Sequence, residues 1–125
     1  MTSGATHHPV RIKRVYLPPD SADGQRVLVD RLWPRGLTKE KAAVAVWLKD
    51  VAPSTELRHW FHHEAARWEE FEARYVAELA SNPAVDELRA LIDGGPVTLL
   101  YGAHDEKQNQ AVVLMRYLSE TSSSP

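Results

Sequence analysis

The sequence predicts a single three-layer α/β domain: a small, mostly parallel sheet flanked by helices. Three observations point there. Two apolar runs, residues 27–29 (Val-Leu-Val) and 97–101 (Val-Thr-Leu-Leu-Tyr), are bounded by turn residues and read as buried strands. Between them, Trp68, Phe71, Tyr75 and Leu79 recur at three- and four-residue steps, the mark of an amphipathic helix. The whole order reads β-β-α-(β)-α-α-α-β-α, few strands covered by many helices.

Taken in order, residues 1–9 are small and polar and read as a disordered arm. Residues 10–17 form a strand ended by Pro18-Pro19-Asp20. After the Asp23-Gly24 turn comes the second strand, extending to Trp33; spacing leaves open whether it pairs with the first as a hairpin or lies parallel to it. Thr38 reads as the N-cap of a short helix over 39–43. Residues 44–51 form a short strand or an extended wall, and Ala52-Pro53 breaks the chain. Ser54 caps a helix reaching Phe61, with Glu56 in its first turn where the dipole favours an acid. Residues 64–80 form one helix and 83–93 the next, stopped by Gly94-Gly95. Asp105 and Gln108, three apart, fit a capping box that opens a last helix over 106–118. Residues 119–125 read as a disordered tail, which leaves one folded unit over 10–118.

Composition narrows the function classes. At 125 residues, with 43% hydrophobic and 26% charged, the chain is one ordinary globular domain. It has no cysteine, which excludes thiol catalysis, cysteine-ligated zinc and disulfides, and fits a reducing compartment. No apolar leader and no membrane-length apolar stretch occurs, so the expected location is the cytoplasm, with no membrane partner. A net charge of −2 argues against general electrostatic binding to nucleic acid. The charge is nonetheless uneven. Residues 1–49 hold nine Lys or Arg against four Asp or Glu, and residues 50–125 hold six against thirteen.

The chemistry concentrates where the second strand exits. There the chain reads D-R-L-W-P-R-G, residues 30–36. Ionisable groups leaving a buried strand need water, a partner or a ligand. In open α/β sheets, ligands sit beyond the carboxyl ends of the strands. If the two best strands are parallel neighbours, Asp30, Arg31 and Arg35 face Tyr101, His104, Asp105 and Asn109 across one crevice. Arginine forks there suit a phosphate or carboxylate. The competing reading pairs Arg31 with a structural carboxylate. Trp33 can hold a planar ligand, or simply fill core.

His59, His62 and His63 form a second cluster. H-x-x-x-H on a regular helix can chelate a metal, but the protease version needs an internal Glu, and this chain reads H-W-F-H-H. No metal site is assigned and no cofactor is identified. His63 also qualifies as a general base, because an imidazole changes charge near neutral pH. There is no P-loop, G-x-G-x-x-G or G-x-S-x-G.

Four segments together resemble a known family: D-R-L-W-P-R-G, A-P-S-T-E-L-R-H-W-F, H-E-A-A-R-W-E-E-F-E-A-R-Y and V-T-L-L-Y-G-A-H-D-E-K-Q-N-Q-A-V-V-L. The chain looks like the bacterial YeaO-like branch of the domain of unknown function 488 family over residues 10–118. The resemblance implies a small cytoplasmic α/β domain and no particular reaction. It carries the family pattern onto Asp30, Arg31, Trp33, Arg35, Arg58, His63, Tyr101, Asp105 and Asn109. Members of the branch often carry a His just before the Asn, where this chain has Gln108. A related branch has a Cys-His-Arg triplet after the last strand, and this chain lacks it. Both departures favour binding over catalysis.

Two readings follow. In the first, a pocket binds a small anionic ligand, a nucleotide or phosphorylated metabolite, through Arg31, Trp33, Arg35, Arg58, Tyr101, Asp105 and Asn109. If it is an enzyme, Asp30 or His63 is the acid/base. In the second, the basic N-terminal half is a docking face of a non-enzymatic protein- or nucleic-acid-interaction module. Convergence of Arg31, Arg35 and Arg58 on a concave pocket distinguishes the first from the second.

Overall fold

The structure, a computed structural model, describes residues 10–121; the arm at 1–9 and residues 122–125 lie outside them. Four strands, β1 (Val10–Arg14), β2 (Gln25–Leu28), β3 (Val46–Trp47) and β4 (Val97–Tyr101), form one sheet in the order β1-β4-β2-β3. Every neighbouring pair is parallel. The first two strands are therefore parallel and not adjacent, because β4 lies between them. All five β4 residues are buried, as a strand flanked and covered on both sides must be.

Among the described residues five helices accompany the sheet: α1 (Lys39–Ala42), α2 (Thr55–Phe61), α3 (Trp68–Ala80), α4 (Ala84–Asp93) and α5 (Gln110–Thr121). Alternation along the strands splits the core in two. Val27, Val97, Leu99 and Tyr101 pack with Phe61, Phe71, Tyr75, Leu79, Leu88 and Leu114, so α2 to α5 share one face. Leu28, Leu100 and Val15 pack on the other face against Ala42, Trp33, Leu37 and Val44. The three layers are thus unequal, with only α1 and its flanking loops covering the second face. Among the described residues no helix is long and apolar enough to cross a membrane.

Most helix boundaries follow the sequence. The Thr38 side chain accepts from the Lys41 N–H, and Ser54 Oγ accepts from the Leu57 N–H. Three boundaries differ. Residues 64–80 are not one helix, because a 3-10 turn over Ala65–Arg67 precedes α3. The last helix starts at Gln110 rather than 106: Asp105 Oδ1 accepts from the Lys107 and Gln108 N–H groups in a local turn. Asn109, 2% exposed, caps α5 instead by accepting from the Val112 N–H at 3.1 Å. The same helix runs on to Thr121, so residues 119–121 are helical rather than tail.

At the amino end of the sheet one buried residue, Asp23, joins three strands. Asp23 Oδ2 accepts from Arg26 Nη1 at 2.7 Å, Lys13 Nζ at 3.1 Å and the Asp20 N–H at 3.0 Å. Its carbonyl accepts from Thr98 Oγ1 at 2.7 Å. Burial works to raise the Asp23 carboxyl, but the Lys13, Arg26 and Asp20 hydrogen bonds outweigh it and hold it below the usual carboxylate range.

Gly24 follows with φ +64°. A Cβ there would lie 2.3 Å from the Pro96 carbonyl oxygen, which is held by the Gln25 N–H at 3.0 Å. Gly24→Ala combines a left-handed backbone penalty with a clash against fixed backbone, so a loss of about 3 kcal/mol is expected. Urea unfolding measures it. A midpoint within error of the parent would show that β2 does not need this close approach.

Candidate ligand-binding site

The site begins where β2 and β4 end side by side. Leu28 is in register with Leu100, and the Val29 N–H still donates to the Leu100 carbonyl at 3.1 Å. Asp30 then leaves the ladder. Its Oδ2 accepts from the Gly102 N–H at 2.8 Å, and its Oδ1 accepts from Gln110 Nε2. The expected strand to Trp33 therefore stops at Leu28, because the chain turns to place this carboxylate across the end of β4 and the start of α5. Gly102 permits it: a Cβ there would lie 3.0 Å from Asp30 Oδ2. Burial pushes the Asp30 carboxyl up to about 6, against the opposing pull of the Gly102 and Gln110 hydrogen bonds and the Arg58 charge.

Beyond these strand ends lies a cavity of about 780 Å³. Its walls are residues 30–35, Ala52 and Pro53, the end of α2 with His62 and His63, and the segment from Gly102 into α5. Asp30, Arg31, Trp33, Arg35, Arg58, His63, Asp105 and Asn109 all line it. Tyr101 does not, which corrects the expectation from sequence. It is 3% exposed, its ring packed in the core cluster with Val97 and Leu99.

The arginines differ in how they are held. Arg31 donates through Nε to the Pro53 carbonyl at 3.2 Å and through Nη2 to the Ala52 carbonyl at 3.1 Å, and its Nη1 lies 4.0 Å from Asp50. It clamps one wall onto the strand exit. Arg35 and Arg58 have no side-chain hydrogen bond or ion pair among the described residues; Arg58 acts on Asp30 through space. Trp33 is fixed by its Nε1 donating to the Leu37 carbonyl at 2.7 Å and by an edge-on contact with Trp47 at 5.4 Å. The Asp105 carboxylate is held below its ordinary range by the N–H groups of Gln108 and Lys107.

The histidines do not form the chelating face that a regular helix would give. α2 ends at Phe61, and His62 and His63 both have positive φ, 45° and 54°. Each left-handed residue costs about 1–2 kcal/mol, so the cavity rim carries local strain. Among the described residues no group of three or more His, Asp or Glu is placed to hold a metal ion. Sequence reasoning missed Gly102 and Gln110 as the partners of Asp30, and the Ala52 and Pro53 carbonyls as those of Arg31. A glycine directly after an apolar strand was the one visible signal; a glutamine in a helix and two backbone carbonyls leave none.

The Asp30 environment sets a pH dependence. A carboxyl at about 6 in the folded protein, against about 4 unfolded, holds its proton more tightly when folded. Stability therefore falls as pH rises through that window. Asp30→Asn keeps an acceptor for the Gly102 N–H, and the Gln110 amide can turn its oxygen inward. Between pH 4.5 and 7.5 the variant should gain about 2 kcal/mol relative to the parent in urea unfolding. An unchanged difference between the two proteins at both pH values would refute this account of Asp30.

The chain matches the family profile described as DUF488-N3i, "Inactive DUF488-N3 subclade", over residues 9–124. It is 46% identical over 110 residues to the uncharacterized protein Rv3073c of Mycobacterium tuberculosis (strain H37Rv), covering 88% of this chain and 93% of the relative. It is 44% identical over 110 residues to the uncharacterized protein YeaO of Escherichia coli K12, covering 87% and 96%. No solved structure matches the chain. A match across nearly the whole domain, together with relatives of this identity and coverage, makes the chain a YeaO-like member of the DUF488 family.

Proposed function

We propose that this protein binds a small anionic ligand, a nucleotide or phosphorylated metabolite, in the cavity at the strand ends, and does so without turning it over. The observation that carries the reading is the convergence of Arg31, Arg35 and Arg58 on one concave cavity. A docking face for protein or nucleic acid would spread them over a flat surface. Arg35 and Arg58 are unpaired among the described residues, so each can give its guanidinium fork to an anion.

Three features support binding rather than catalysis. Both Asp30 oxygens already accept hydrogen bonds from the fold, which makes the carboxylate a fastener of the cavity floor. His63 has no hydrogen-bond partner among the described residues to orient it, whereas a general base needs a fixed geometry. The word "inactive" in the family description agrees with both.

Thermal shift of the purified protein against nucleotides and sugar phosphates tests the proposal. A ligand at one hundred times its Kd stabilises by about 2.7 kcal/mol, which raises Tm by roughly 10 °C in a domain of this size. Arg35→Met and Arg58→Met should melt like the parent without ligand and lose that shift. Absence of a shift from every anion near a millimolar, or a shift retained in both variants, overturns the proposal.

A further inference from the structure

Five large apolar side chains are exposed among the described residues: Tyr16, Leu17, Leu32, Trp47 and Val76. The first four lie just beyond, or at, the carboxyl ends of β1, β2 and β3, the end of the sheet at which the cavity opens. Three of them are built onto the loop that carries the arginines. Leu32, 62% exposed, belongs to it and lines the cavity. The Tyr16 hydroxyl donates to the Arg35 carbonyl at 3.0 Å, and Trp47 Nε1 donates to the Asp30 carbonyl at 2.8 Å. Apolar surface gathered at one place, beside cations unpaired among the described residues, marks a binding surface rather than scattered exposure.

We propose that the ligand is a nucleoside monophosphate, with its phosphate held by Arg35 and Arg58 and its base against the Leu32–Trp33 wall. The inference rests on the anion-binding reading above and narrows it. Inorganic phosphate or a sugar phosphate would satisfy the arginines but leave Leu32 and the exposed part of Trp33 uncovered. A base offers both a flat face for an aromatic wall and an apolar area for Leu32. The cavity, about 780 Å³, lies within the range of sites that enclose an organic ligand and far exceeds what phosphate alone needs. Trp33 is already fixed in place by Leu37 and Trp47, so stacking on it would not require ordering the ring.

Isothermal titration of the full chain tests this with AMP, GMP, CMP and UMP, each compared with its nucleoside and with ribose 5-phosphate. At least one monophosphate should bind about tenfold or more tighter than both its nucleoside and ribose 5-phosphate, since each half of the ligand contributes. Leu32→Ala, which removes only an exposed side chain, should keep the parent Tm, weaken that monophosphate about fivefold and leave ribose 5-phosphate unchanged. Arg58→Met should weaken both. Ribose 5-phosphate binding as tightly as every monophosphate overturns the base contact while the anion site stands. A nucleoside binding as tightly as its monophosphate overturns the phosphate contact. No binding by any anion removes the anion reading itself.

Discussion

The sheet depends on the carboxylate of Asp23. Strands β1, β2 and β4 are distant in sequence, and nothing local dictates which of them are neighbours. Asp23 joins them at one point by accepting from Lys13 on β1 and Arg26 on β2, while its own carbonyl receives the hydroxyl of Thr98 on β4. A buried charge of this kind is tolerated only when its partners are all in place. The arrangement therefore selects one strand order and one register, in which β4 runs between β1 and β2. It also absorbs two of the cations that make the N-terminal half of the chain basic. That surplus serves in part to neutralise an internal acid and is not all available to a partner.

A second aspartate stands at the opposite end of the same strands, with the opposite electrostatics. Asp30 is bonded by neutral donors, a backbone N–H and an amide side chain, where Asp23 has an ammonium and a guanidinium. Burial dominates for Asp30 and raises its carboxyl, whereas the charged partners win for Asp23 and lower it. The amino end of the sheet is thus electrostatically closed and the carboxyl end is left unbalanced. Unbalanced groups at strand ends are a common property of sites in α/β folds.

Around Asp30 the arginines divide their roles. Arg31 joins the wall at Ala52 and Pro53 to the strand exit, and Arg35 and Arg58 have no such ties among the described residues. On the far side, Ser54 both caps α2 and donates to Glu78 of α3, fixing the helix from which Arg58 and the strained His62-His63 turn project. The cavity is thus braced at Arg31 and at α2, with Leu32 and the Arg35 and Arg58 side chains, unpaired among the described residues, on its lining.

Much of this was legible in the chain. The apolar runs at 27–29 and 97–101 and the Trp68–Leu79 stripe define an α/β domain through periodicity alone. The caps Thr38 and Ser54 declare themselves by residue type. The D-R-L-W-P-R-G segment is visible as a candidate site because charges follow a buried strand without a break. Strand order was not legible, since Lys13, Asp23, Arg26 and Thr98 meet only through long-range packing. Nor was the failure of Tyr101 to reach the cavity, because its ring is enclosed by helices that pack onto β4 only in the folded chain. The true cap of α5 was hidden as well: Asp105 and Asn109 are both good caps by type, and the local turn that Asp105 makes with Lys107 and Gln108 leaves the role to Asn109. Sequence alone determined the main helices and strands, though not all their ends, and where charge meets apolar surface, because those depend on near neighbours. Only the tertiary structure decided which arginines are struts and which have no partner among the described residues, because that depends on whether backbone carbonyls far along the chain arrive within hydrogen-bond reach.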